Sequence, residues 1–137
     1  MEIKMFQFQN HGDHRGQLVA LEENHEIPFD VKRVYYIYDT GKGVRRGFHA
    51  HKCLKQILIA IKGECKIHLD SGYETAEVLL NKPTEGLYIS NDMWREMYDF
   101  SEDAVLLVLA SELYDENDYI RDYQKFIQLV DEKKEMH

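Results

Sequence analysis

Between residues 31 and 110 the chain is a succession of short β-branched and aromatic runs, cut by turn sequences at close spacing. Residues 31–38 read V-K-R-V-Y-Y-I-Y and lead into D-T-G-K-G at 39–43. Residues 56–61 run on to Gly63, and 65–69 alternate up to the D-S-G turn at 70–72. Residues 77–80, 86–89 and 104–110 supply three more runs. Many strands with turn signals between them predict an all-β sandwich or barrel. Beyond residue 110 the period changes. Tyr119, Tyr123, Phe126 and Val130 recur at four, three and four residues, with Ile120 and Ile127 alongside. That spacing predicts an amphipathic helix packed on the sheet.

At 137 residues the chain can bury a real core as one domain. Its two prolines, Pro28 and Pro83, are too sparse for a linker, so one domain over residues 1–137 is expected. No stretch reaches the roughly 18 apolar residues of a membrane span, and the N-terminus lacks the apolar core of a signal peptide. Cys53 and Cys65 have no metal-ligand spacing and are expected to stay reduced. These features point to a cytoplasmic protein. With 25 acidic against 17 basic residues the formal net charge is −8, which argues against a nucleic-acid partner. The arginines are nevertheless clustered. Arg33, Arg45 and Arg46 lie close in sequence to a histidine pair, and a guanidinium fork suits an anionic ligand.

That pair is His49 and His51, within G-V-R-R-G-F-H-A-H at 43–51. On an extended strand, side chains at i and i+2 point to one face. The two imidazoles therefore project together, with Gly47 below them and Phe48 and Ala50 facing away. Two buried imidazoles on one face are costly unless each is hydrated or hydrogen-bonded. By the same alternation Tyr35 shares a face with Arg33, while Tyr36 and Tyr38 turn to the other face as packing residues. Gln56 is expected to face the histidines and fix the tautomer of one of them. His11, His14, His25, His68 and His137 lack such context and are expected at the surface.

Gly43, His49, His51 and Gly63 stand at the offsets of the first signature of the cupin superfamily, which the chain resembles. The glutamate of that signature is replaced by Gln56. In the second signature, starting at Gly86, Asp92, Trp94 and Met97 stand where proline, glycine and histidine are usual. The missing glutamate and histidine are normally metal ligands, and two histidines alone hold a divalent ion weakly. The expectation is therefore no metal and no cofactor, with the histidine pair doing acid/base work. The resemblance implies a cupin jelly roll with a C-terminal amphipathic helix.

Over nearly its whole length the chain is also similar to a narrower group, the 3,4-ketoisomerases of dTDP-4-keto-6-deoxyglucose. The similarity rests on I-P-F at 27–29, K-R-V-Y-Y-I at 32–37, R-G-F-H-A-H-K at 46–52 and G-L-Y-I at 86–89. It continues in W-R-E-M at 94–97, V-L-A-S at 108–111 and Y-D-E-N-D-Y-I-R at 114–121. The resemblance implies that His49 and His51 move protons between C3 and C4 and between the two oxygens through an enediolate. Tyr35 would donate to the enediolate oxygen, and Arg33 and Arg46 would contact the pyrophosphate or orient the sugar. Arg95, Arg15 and Arg121 are further candidates of that kind. It also implies a homodimer that exchanges its N-terminal strand. A dehydratase would act upstream and an aminotransferase downstream, feeding a 3-amino-3,6-dideoxy sugar into a surface polysaccharide, O-antigen or S-layer glycan. Three rivals are a 3,5-epimerase-like cupin, a metal-dependent cupin enzyme and a non-catalytic sugar-nucleotide-binding module. The R-G-F-H-A-H run speaks against the first, whose hallmark is one histidine after R-G-L.

Overall fold

In a computed structural model, residues 1–136 are described; His137, expected at the surface, lies outside them. In chain order the strands are β1 (Lys4–Gln7), β2 (Arg33–Tyr38), β3 (Arg46–His51), β4 (Gln56–Lys62) and β5 (Cys65–Asp70). There follow β6 (Thr75–Leu80), β7 (Glu85–Ile89), β8 (Trp94–Tyr98), β9 (Val105–Ala110) and β10 (Tyr119–Ile120), and then the helix α1 (Tyr123–Glu135). They form two five-stranded sheets in the orders β1-β7-β4-β9-β2 and β10-β3-β8-β5-β6. Every pairing between these strands is antiparallel. This is the expected jelly-roll sandwich of the cupin type.

The main core lies between the sheets. Ile37, Leu58, Leu87, Leu106 and Val108 from one pack with Ile67, Leu69, Leu80 and Met97 from the other. A second cluster sits on the opposite face of the first sheet, where Ile57, Ile59 and Leu109 are covered by Phe8, Ile27 and Phe29 from the segment after β1. Strand β4 is therefore buried on both faces. That explains why Ile57, Leu58, Ile59 and Ala60 form an unbroken apolar run rather than an alternating one. The third cluster joins Phe126 and Val130 of α1 to Ala50, Trp94 and Ile120 of the second sheet.

The helix does not begin where the periodicity placed it. The Asp122 carboxylate accepts from the amides of Gln124 and Lys125, an N-cap that starts α1 at Tyr123. Tyr119 and Ile120 instead pair with His51 and Ala50 of β3. The four-residue step from Tyr119 to Tyr123 thus spans a strand, a cap and a helix start. Strand β8 was missed, because W-R-E-M-Y carries two charges at positions that the fold buries or half-buries. Tyr36 and Tyr38 are not packing residues. They stand on the open side of the edge strand β2, 61% and 59% exposed, with their rings 5.8 Å apart. His11, His14 and His25 are exposed as expected, whereas His68 is half-buried on β5.

Candidate active site

Strand β3 carries the histidines, but it is not a regular strand. Gly47 opposes Glu96 and His49 opposes Arg95 on β8, so Phe48 is an extra residue in a β-bulge. Gly47 has φ +95° and Phe48 φ +54°. A Cβ on Gly47 would lie 2.9 Å from the Arg95 carbonyl oxygen and 3.2 Å from the Glu96 Cα, so only glycine lets β8 approach here. The bulge also corrects the face pattern. Strict alternation would turn Arg46 away from His49, three residues on. With Phe48 looped out, 45% exposed, Arg46 and His49 line one cavity.

That cavity, about 330 Å³, is walled by both sheets: Arg33, Tyr35 and Ile37 on β2 face Arg46, Gly47, His49 and Met97, with Tyr119 and Arg121 at one side. The two imidazole centroids are 4.9 Å apart and nearly perpendicular. Tyr119 packs against both, at 5.0 Å from His49 and 4.4 Å from His51. His49 Nδ1 lies 2.9 Å from the Gly47 carbonyl oxygen. A carbonyl only accepts, so Nδ1 carries the hydrogen and Nε2 keeps its lone pair. His51 is fully buried, with Nδ1 3.1 Å from Asp118 Oδ2 and Nε2 buried without a partner among the described residues.

Behind this wall lies Arg95, 1% exposed. Its Nη1 donates to Gln56 Oε1 at 2.5 Å, and Nε and Nη2 donate to the Met93 carbonyl. Gln56 Nε2 in turn donates to the Tyr35 hydroxyl oxygen at 2.9 Å. Gln56 therefore does not fix a histidine tautomer. It links Arg95 to Tyr35 and leaves the phenolic hydrogen free to point into the cavity. The cupin metal set is likewise absent. The Gln56 carbonyl is committed to a guanidinium, which repels a cation, and Met97 offers only a thioether. Among the described residues no group of three or more His, Cys, Asp or Glu side chains could hold a metal ion.

Burial and then the Arg95 charge push the His49 pKa down to about 4, and the Gly47 carbonyl opposes this weakly. The same two causes lower His51, followed by the neighbouring His49 and the Arg33 and Arg121 charges. Both imidazoles are therefore neutral at pH 7 and able to accept a proton. Burial raises the Tyr35 hydroxyl, keeping it a neutral donor. These shifts carry a stability consequence. Between pH 6.5 and 4 the unfolded chain protonates His49 but the folded protein does not, so stability is full above pH 6.5 and falls as pH drops. His49 alone accounts for about 3 kcal/mol of that loss, at roughly 1.4 kcal/mol per pKa unit. Urea midpoints measured from pH 7 to 4.5 should decline accordingly, and more shallowly in His49→Gln.

The other arginines are placed unequally. Arg33 stacks on Tyr35 and Tyr114 at 5.1 and 5.6 Å, and its Nε and Nη2 are buried without a hydrogen-bond partner among the described residues. Unsatisfied cationic donors lining a cavity suit an anion. Arg121 is held by Glu116 at 2.7 Å and lies 4.2 Å over the Tyr119 ring. Arg15 is not brought to the cavity. Its guanidinium pairs with Asp13 on an exposed turn. Arg95 backs the site without lining it. Sequence reading missed Asp118 as a partner of His51 and Tyr119 as a wall of the site. Asp118 showed only as a member of the Y-D-E-N-D-Y-I-R run, and Tyr119 only there and in the periodicity that pointed to a helix.

Residues 1–131 match the family described as FdtA: WxcM-like, C-terminal. A curated relative, the TDP-4-oxo-6-deoxy-alpha-D-glucose-3,4-oxoisomerase of Aneurinibacillus thermoaerophilus, is 52% identical over 126 residues, covering 92% of this chain and 91% of the relative. A 3,4-ketoisomerase from Helicobacter canadensis superposes with a TM-score of 0.92 at 51% identity, over 96% of this chain and 98% of that one. A mutant of the 3,4-ketoisomerase QdtA from Thermoanaerobacterium thermosaccharolyticum, in complex with TDP-4-keto-6-deoxyglucose, gives 0.93 at 46% identity, over 95% and 94% of the two chains. By contrast, a 3'-monoepimerase from Streptomyces bikiniensis (16% identical, TM-score 0.74, over 85% of this chain and 67% of that one) shares the fold alone.

Proposed function

This chain belongs to the FdtA family, and from that membership and the site we infer a TDP-sugar 3,4-ketoisomerase that converts TDP-4-keto-6-deoxyglucose into a 3-keto-6-deoxyhexose. The observation that carries the residue assignments is the pair of neutral imidazoles, each with Nδ1 committed, beside a cavity rich in arginine.

In a 4-keto sugar the C3 hydrogen is acidified by the adjacent carbonyl. We assign its removal to His49, since this imidazole lines the cavity with a free Nε2 lone pair. The C3–H electrons become the C3–C4 double bond, and the carbonyl electrons move to O4, giving an enediolate. Tyr35 keeps its proton and steadies that oxygen with a hydrogen bond. His51 moves the proton from the C3 hydroxyl to O4, so the charge passes to O3. His49 then returns its proton to C4, and the ketone stands at C3. Atoms and electrons balance without a redox partner. Arg33 and Arg46 take the pyrophosphate or hold the sugar, with Arg121 beside them.

Proton NMR of TDP-4-keto-6-deoxyglucose with EDTA-treated protein in D₂O tests the reading. The expected result is a 3-keto product, carrying deuterium at C4 in the turnovers where the His49 imidazolium exchanges with solvent before it returns its proton. Exchange at C3 and C5 without ketone migration would favour the epimerase reading. Turnover restored only by a divalent ion would overturn metal independence, and binding without change would leave a binding module.

We read residues 1–137 as one catalytic domain, working in the cytoplasm as a homodimer. The open edge strand β2, with Val34, Tyr36 and Tyr38 more than half exposed, supports the dimer. A dehydratase supplying the keto sugar and an aminotransferase consuming the 3-keto product fit the same chemistry, because the product ketone is an amination site.

A further inference from the structure

The geometry points to Asp118 as the residue that sets which nitrogen of His51 is the base. This inference rests on the proposed isomerase reading for its kinetic consequence, but its structural content stands apart from turnover.

Asp118 ends the short 3-10 turn Glu116–Asp118, 67 residues away in sequence from the histidine it meets. Its carboxylate is anchored at both oxygens. Oδ1 accepts the Cys53 amide at 2.8 Å, Oδ2 accepts the Leu54 amide at 3.3 Å, and the Asp118 carbonyl accepts the Lys52 amide at 3.0 Å. The loop after β3 is thus tied to the turn before β10, and Oδ2 is left 3.1 Å from His51 Nδ1. Oxygens that already take backbone amide hydrogens act as acceptors, and Oδ2 offers His51 no hydrogen of its own. Nδ1 must then carry the hydrogen, which makes Nε2 the bare lone pair.

That lone pair is where the second observation lies. His51 is wholly buried, and Nε2 has no hydrogen-bond partner among the described residues. An unsatisfied buried acceptor is costly and calls for an explanation. A tautomer flip would remove the vacancy at Nε2 only by placing an unpartnered hydrogen there and losing the Asp118 bond. Asp118 therefore holds the ring in the state that is uncomfortable at rest, with a buried, unpartnered acceptor beside His49 that a substrate hydroxyl would satisfy on entering. The same carboxylate opposes burial and Arg95 when His51 becomes an imidazolium in mid-reaction. His49 reaches the same tautomer by a backbone carbonyl, so the two bases are set by separate devices.

Asp118→Asn tests this. The carboxamide keeps an oxygen for the Cys53 amide but can present N–H to Nδ1, favouring hydrogen at Nε2. In ¹⁵N-labelled wild-type protein without ligand, His51 should show a protonated Nδ1 and an imine-type Nε2, and the variant should reverse the two. With TDP-4-keto-6-deoxyglucose the variant should lose on the order of 10²-fold in kcat, with KM within about threefold. A wild-type His51 protonated at Nε2 would overturn the proposal without any need for a folded variant. So would an Asp118→Asn protein that keeps its wild-type tautomer and kcat. If wild-type protein does not isomerise the sugar, the functional reading fails, and the ¹⁵N spectra still decide the role of Asp118.

Discussion

His49→Asn should lower kcat for TDP-4-keto-6-deoxyglucose by on the order of 10³–10⁴-fold, with KM changed by no more than about threefold. Asparagine is close to the histidine in shape and can still donate to the Gly47 carbonyl, so the cavity is kept while the base is lost. The two histidines should fail differently. Without His49 the C3 hydrogen has no acceptor, and solvent deuterium should not appear at C3. In His51→Asn, His49 can still remove and return that hydrogen, so C3 exchange should continue without ketone migration. The readout is proton NMR in D₂O with each variant at high protein concentration. C3 exchange in His49→Asn at the wild-type rate would transfer the role to another group.

Gly47→Ala should be the most destabilising single methyl that can be added near the site. The residue sits at φ +95°, and its Cβ would meet the β8 backbone at 2.9 Å. Backbone cannot swing aside as a long side chain can. The left-handed conformation costs about 1–2 kcal/mol for a non-glycine residue, and displacing β8 adds to it. A total of about 3 kcal/mol is expected, or roughly 10 °C in Tm. Gly43→Ala is the internal control. Gly43 has φ +82° but nothing within 4 Å of the added carbon, so it should show the conformational cost alone. Equal losses in the two variants would mean that the approach of β8 does not depend on the glycine. Activity should fall with Gly47→Ala even in the fraction that folds, since Arg46 and His49 share a wall only through the bulge.

Much of the fold was legible because strand burial writes itself into composition. The runs at 56–61 and 104–110 are apolar because β4 and β9 lie in the middle of a covered sheet, and the glycine turns mark their ends. Strand β8 was opaque for the opposite reason. Arg95 is a buried charge, and no pattern of hydropathy predicts a guanidinium satisfied by the Gln56 and Met93 carbonyl oxygens. The histidine pair was visible through its i, i+2 spacing. Alternation alone gives no reason for Arg46 to share a wall with His49, because the bulge that brings them together is set by contact with β8. The signature glutamate replaced by Gln56 was read as a missing ligand, yet what the residue does instead depends on Arg95, 39 residues on. Asp118 shows the limit most clearly. Its partner is 67 residues away, and only the pairing of β10 with β3 brings the two together.

Arg95, buried without a salt bridge among the described residues, has a consequence that reaches beyond the hydrogen bonds it makes. Burial already makes His49 hold its proton weakly, and the fixed positive field of Arg95 weakens that hold further. The same field favours a negative charge on the sugar. When a proton crosses from carbon to imidazole, one charge of each sign is created, and the field acts on the two in opposite senses. To first order they cancel. The site can therefore tune the acidity at which it titrates almost independently of how far uphill the proton transfer lies. A neutral replacement at this position should move the acidic limb of the pH–rate profile upward much more than it moves the plateau.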